Sequence, residues 1–324
     1  MTAPRFAESA LQTLAAAADE ARIEIVVHRG EPATDLDGQL LAVAREVEEG
    51  TAGVIAATER GGGEPPARPA LSLAADGRHR IHYLAVPDGL EAPPFLAALM
   101  ALADGGHTAT RELLHGVVRP CEVVVFVAPG CPNCPHAVQA AVTVAGANEV
   151  VTLSVVDATA FPELAERHRV RSVPTTVIDG ELALQGVVAV RKLARQIARR
   201  GSNQYGLEVF ASRLSAGLFD ALARRLAQGS DLHHFVALWA SSTLEQRIGL
   251  MLVAEQTLAV NARALDGAVA DLLPVLESAD AARRGDTVDL LGTIGHRSAW
   301  PAIRALRDDP DPGVAEAAAD VLGN

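Results

Sequence analysis

The sequence predicts an α/β part followed by an all-α part. Three observations carry that reading. Short β-branched apolar runs alternate with helix-forming stretches from the N-terminus to about residue 200. Beyond the polar segment Arg200–Gly206 (RGSNQYG) only helical patterns follow. Near the C-terminus, 280–292 (DAARRGDTVDLLG) and 311–323 (DPGVAEAAADVLG) align at a spacing of 31 residues, a period that suggests stacked helical pairs.

The elements follow in order. Residues 7–18 are a helix former, Ile23 to Val27 a buried strand, 38–49 a second helix and Gly53 to Ala57 a strand. Gly61 to Pro69 (GGGEPPARP) is loop by composition. Strands at Ala70 to Leu73 and His82 to Val86 flank the turn signal Asp76-Gly77, and a helix at Phe95 to Leu102 stops at Gly105-Gly106. The order then recurs: a helix at 108–117, a continuous β-rich run Cys121 to Val127 (CEVVVFV), and a helix from near Cys131 to about Ala145. A strand at 150–156 and a helix at 160–168 lead to the hairpin Thr175–Ile178/Leu182–Gln185 around Asp179-Gly180, and a helix at 189–199 closes the part. The order βαβαββα is the thioredoxin topology, so the expectation is two tandem thioredoxin-like folds, 1–106 and 107–200, and a helical domain at 207–324 resembling HEAT-like repeats.

Composition narrows the function. The chain of 324 residues carries a formal net charge of −12, shared evenly between 207–324 and the remainder. The longest Lys/Arg run is two residues, so nucleic acid and anionic membrane are excluded as expected partners. Neither a signal peptide nor a transmembrane segment is visible, which points to a cytoplasmic protein. Three cysteines do not make a disulfide framework. In a reducing compartment the Cys131/Cys134 pair is catalytic or metal-binding rather than structural.

The segment 126–141 reads FVAPGCPNCPHAVQAA. A strand feeds a Pro-Gly turn, and the first cysteine falls at an expected helix start. Unpaired N–H groups and the helix dipole stabilise a thiolate there. Cys131 is the expected nucleophile and Cys134, one turn further in, the resolving thiol. Pro132 and Asn133 supply no charge and are the expected contact surface for substrate. His136 favours the thiolate if cationic; a neutral, solvent-facing ring is the alternative. Zinc would want four ligands, and Cys121, ~20 Å up the strand, cannot join the pair, so no metal is expected. Cys121 reads as a quiet buried thiol. The adjacent His233 and His234 are expected to point in different directions.

Residues 123–198 resemble the second thioredoxin-like fold in the N-terminal domain of the alkyl hydroperoxide reductase flavoprotein family. The matching stretches are Cys131-Pro132-Asn133-Cys134-Pro135, His136 to Ala141, and Arg171-Ser172-Val173-Pro174. Residues 1–106 are similar to the cysteine-free first fold of that domain, at Arg68-Pro69, Gly89-Leu90-Glu91, Phe95-Leu96 and Gly105-Gly106-His107. The tandem is also similar to archaeal protein disulfide oxidoreductases. The resemblance implies a cis proline at Pro174 facing the cysteines, with the backbone of Val173 pairing with an extended substrate. It also implies that Glu91 faces the dithiol and deprotonates Cys134. Ordinary thioredoxins carry a buried acid on the strand, six residues before the first cysteine, where this chain has Val125. A cap on the helix beginning near Pro93 is the competing role for Glu91.

No Gly-x-Gly-x-x-Gly fingerprint follows a strand, so no flavin, nicotinamide or other cofactor is expected. The chain is therefore expected to exchange disulfides with a protein partner, a peroxiredoxin among the candidates. A separate flavoenzyme like thioredoxin reductase would reduce it in turn. The alternative is a redox-sensing adaptor whose helical domain binds a client under control of the dithiol state.

Overall fold

The computed structural model describes residues 4–18, 21–60, 65–104 and 108–323. The expected Gly61-Gly62-Gly63 loop and Gly105-Gly106 stop lie outside them. The chain divides into two units, Met1–Arg200 and Gly201–Asn324.

The first unit is built on one eight-stranded sheet. Its elements are α1 (Glu8–Ala18), β1 (Ile23–His28), α2 (Asp35–Gly50), β2 (Ala56–Arg60), β3 (Ala70–Ala75), β4 (Arg78–Leu84), a 3-10 turn at Gly89–Glu91, and α3 (Ala92–Asp104). They continue with α4 (Thr108–Leu114), β5 (Cys121–Val127), α5 (Cys134–Ala147), β6 (Val151–Asp157), α6 (Pro162–Arg167), β7 (Thr175–Ile178), β8 (Leu182–Gln185) and α7 (Val190–Ala198). The strand order is β2-β1-β3-β4-β6-β5-β7-β8. Each group of four has the same internal arrangement, and the groups meet where β4 runs parallel to β6, from Ile81↔Leu153 to Leu84↔Val156. β1, β4, β6 and β5 are parallel, so their C-terminal ends share one edge of the sheet.

Burial explains the strands. β5 is apolar and buried at every residue but Glu122, as its unbroken Val/Phe run requires. One face carries Ala70, Leu84, Val124, Phe126, Val156 and Val177 under Leu164 and Ala165 of α6. On the other side α3 and α5 approach closely: a Cβ added at Gly146 would lie 2.6 Å from the Cβ of Ala101.

Several boundaries differ from the sequence expectation: the strand expected at His82 to Val86 is β4, Arg78–Leu84, and three others follow. The strand expected at Gly53 to Ala57 is β2, Ala56–Arg60, because Ala52 and Gly53 take positive φ (51° and 78°) and turn the chain first. The helix expected from near Cys131 starts at Cys134. The polar hinge is shorter than Arg200–Gly206, because Ser202 caps a helix that already begins at Asn203.

The second unit is helical: α8 (Asn203–Ser215), α9 (Phe219–Ala227), α10 (Leu232–Ser241), α11 (Leu244–Val260), α12 (Val269–Leu272), α13 (Ala281–Ile294), α14 (Trp300–Ala305) and α15 (Pro312–Val321). Its core holds Phe235, Trp239, Leu250, Leu272 and Leu291, and the Trp239 indole N–H donates to Thr287 Oγ1 at 2.9 Å. The two aligned stretches open alike, with Asp280 and Asp311 capping the N-termini of α13 and α15. Among the described residues no helix is long and apolar enough to cross a membrane.

Candidate active site

The site lies at the edge where β4, β6 and β5 end. Cys131 and Cys134 are joined by a disulfide, with Cα atoms 5.5 Å apart. Cys131 stands in the turn before α5 and is partly exposed, whereas Cys134, the first helical residue, is 0% exposed. The dipole argument therefore operates one turn later than expected. The Cys134 backbone N–H donates to Cys131 Sγ at 3.1 Å, so the helix N-terminus addresses the outer sulfur from behind. Asn133 holds the N-cap position without a side-chain cap bond. Pro132, Asn133 and His136 are exposed.

The Val173–Pro174 bond is cis, as are Arg68–Pro69 and Glu31–Pro32. Pro174 is buried, and its carbonyl accepts from Gly186 N at 2.8 Å. Val173 is half-buried beside the α6-covered face.

Glu91 ends the 3-10 turn that follows β4, and this turn packs on both α3 and α5. It therefore shares an end of the sheet with the disulfide, two strands from β5, or about 9.6 Å at the usual strand spacing. Glu91 is half-buried and its Oε2 has no hydrogen-bond partner. Burial raises its carboxyl to about 7. The helix-cap role gains no support, since the buried oxygen bonds to no amide.

The β1–α2 junction occupies, in the first group of strands, the place that the disulfide holds in the second. Asp37 closes it. Its carboxylate accepts from Gly30 N at 2.7 Å, Thr34 N at 2.6 Å and Thr34 Oγ1 at 3.0 Å. Burial opposes ionisation there, but the hydrogen bonds from Thr34 and Gly30 outweigh it and hold the carboxyl below its ordinary value. The sequence reading passed over Asp37, although Thr34 and Asp37 at i and i+3 are the spacing of a capping box.

Cys121 is buried, and its thiol is pushed up to about 12 by burial first and Asp179 second, so it stays protonated. The rings of His233 and His234 do not diverge as expected; their centroids lie 3.9 Å apart. Among the described residues no group of three His, Cys, Asp or Glu side chains could hold a metal.

A thioredoxin-domain family model matches residues 121–198. The alkyl hydroperoxide reductase AhpF of Pseudomonas aeruginosa is 26% identical over 141 residues, covering 42% of this chain and 27% of that protein. Its counterpart from Xanthomonas campestris is 24% identical over 150 residues, covering 44% and 28%. The chain thus spans about a quarter of the length of the curated relatives it matches. The N-terminal domain of the Enterococcus faecalis alkylhydroperoxide reductase AhpF aligns at TM-score 0.51 with 21% identity, covering 59% of this chain and 99% of that one. A protein disulfide oxidoreductase from Aeropyrum pernix aligns at TM-score 0.50 with 21% identity, covering 59% and 92%. The first unit therefore contains a thioredoxin-like domain that matches the N-terminal domain of alkyl hydroperoxide reductase AhpF and protein disulfide oxidoreductases.

Proposed function

We propose that the chain is a protein dithiol–disulfide oxidoreductase working through Cys131 and Cys134. The observation that carries this reading is the asymmetry of the pair: an outer sulfur held by a helix N–H, disulfide-bonded to a fully buried inner one. In the dithiol form the Cys131 thiolate attacks one sulfur of the substrate disulfide. A Cys131–substrate bond forms, and the other substrate sulfur leaves with the electron pair as a thiolate. Cys134 gives its proton to Glu91, whose carboxyl titrates near neutrality, and attacks Cys131 Sγ. That closes the intramolecular disulfide and expels the second substrate thiolate. The substrate gains two electrons and the protein pair loses two.

In this reading residues 1–106 and 107–200 are tandem thioredoxin-like folds, the first without cysteines, and 207–324 is a HEAT-like helical domain. Pro132, Asn133 and the Val173 backbone contact an extended segment of the substrate beside Pro174. The substrate is a cytoplasmic protein disulfide of the peroxiredoxin class. A separate flavoenzyme of the thioredoxin-reductase type returns two electrons and two protons to the pair.

Trapping tests it. Cys134→Ser accumulates a mixed disulfide through Cys131 with its protein substrate, visible as a reductant-sensitive adduct by mass spectrometry. Cys131→Ser forms none and lowers reduction of insulin disulfides at least ~100-fold, to the uncatalysed rate. Equal rates for wild type and Cys131→Ser would falsify the reading.

A further inference from the structure

Val125 puts no proton acceptor at the strand position six residues before Cys131, and the sheet register shows what stands beside it. Val125 pairs with Val155 on β6, and Val155 pairs with Tyr83 on β4. The three form one row with their side chains on one face. The Tyr83 ring is 0% exposed and lies edge-on to Phe95 of α3 at 5.0 Å. Its hydroxyl is buried without a hydrogen-bond partner. Eight residues on, past the end of β4, the buried Oε2 of Glu91 is also unpartnered. A phenol is a donor and a carboxylate an acceptor. A buried polar group left unpaired is destabilising, so two complementary ones at the same end of β4 call for each other.

Among the described residues, the ionisable groups of the elements around this turn are placed away from the pair or already engaged. The Gly89–Glu91 turn packs on α3 and α5. The ionisable residue of α3 is Asp104, at its far end; α5 brings Cys134, in the disulfide, and exposed His136. Asp88 on the turn itself is exposed. Asp157 at the end of β6 is engaged, its Oδ1 accepting from Thr159 N and Oγ1. Tyr83 also responds to Glu91: burial first, and the Glu91 carboxylate second, hold its phenol well above the ordinary value.

We propose that Tyr83 is a positioning residue whose hydroxyl donates through one water to the Glu91 carboxylate and holds it for proton transfer with Cys134. The link to Cys134 rests on the function proposed above; the Tyr83–Glu91 pair does not. A donor to the charged form favours ionisation, so removing it raises the Glu91 titration further.

The test uses the full chain, with Tyr83→Phe, which keeps the ring against Phe95. Carboxyl carbons of labelled glutamate are titrated by NMR, with Glu91→Gln assigning the signal. In parallel, 5-thio-2-nitrobenzoate is loaded on Cys131 and its release by Cys134 is followed against pH. Tyr83→Phe moves the Glu91 titration up by about one unit, and the release profile moves with it, slowing release about tenfold on the acid side. The shift in release is absent in a Glu91→Gln background. Incorporation of 3-fluorotyrosine, a stronger donor, moves the titration the other way and gives the same test if Tyr83→Phe does not fold. An unmoved Glu91 titration in both overturns the proposal. A moved titration with an unmoved release profile upholds the pair and instead removes the base role from the proposed function.

Discussion

Asp37 shows how a single carboxylate can hold a turn. Three donors converge on it while its residue is 3% exposed. Its folded-state titration lies below the unfolded one, so its contribution is present above the unfolded value and is lost as pH falls through the folded one. Asp37→Asn should therefore destabilise the first unit by about 1–3 kcal/mol at pH 7, with the difference from wild type vanishing in acid. Urea denaturation at pH 7 and pH 3 measures it, and a difference independent of pH would refute the assignment. Glu91 has the opposite sign: its raised value means that ionising it opposes folding as pH rises toward 7. At this scale the cysteine pair was legible, because Cys-x-x-Cys between an apolar strand and a helix pattern is a local signal. Tyr83 was not. Its importance depends on the β4–β6 register, which ties residues about 70 positions apart and leaves no mark in either strand.

The elements were legible where one pattern dominated. β5 is apolar at every residue but Glu122, and β7 and β8 flank an Asp-Gly turn whose residues take positive φ (50° and 65°). β2 was misplaced because Gly53-Val54-Ile55 has strand composition, but the positive φ at Ala52 and Gly53 spends those residues on a turn. The start of α5 was misplaced because proline and glycine before Cys131 mark a turn without fixing its length. The α3–α5 contact supports the Gly89–Glu91 turn and depends on Gly146. Gly146→Ala gains about 1 kcal/mol of helix propensity, yet its methyl would meet the Ala101 Cβ, which no rotamer change can move. Net destabilisation of about 1–2 kcal/mol is expected from overpacking. Chemical denaturation measures it; a stabilised variant would mean that the helices separate without cost.

The molecule divides at Arg200, and each unit has a core of its own. The residues assigned to chemistry, from Glu91 to Pro174, all fall in the first. A chain ending at Arg200 should unfold cooperatively on heating and reduce a small disulfide at the full-chain rate, within about twofold, since every proposed chemical group remains. Circular dichroism and a thiol-release assay decide this. Loss of turnover would place part of the chemistry in the helical unit. Retained turnover with lost reduction of a protein partner would give that unit the client-binding role. The unit was legible as helical, and Asp280 and Asp311, aligned in the sequence, each cap a helix. Its purpose has no residue signature comparable to the cysteine pair.

The parallel seam between β4 and β6 has one further consequence. Two separate four-stranded sheets would present four open edges, each a template for pairing with another chain. Among the described residues, fusing them leaves two, β2 and β8, of five and four residues, and β2 carries the charged Glu59. The seam that brings Tyr83 into one row with the strand leading to the cysteines therefore also halves the open sheet edge through which this unit could aggregate.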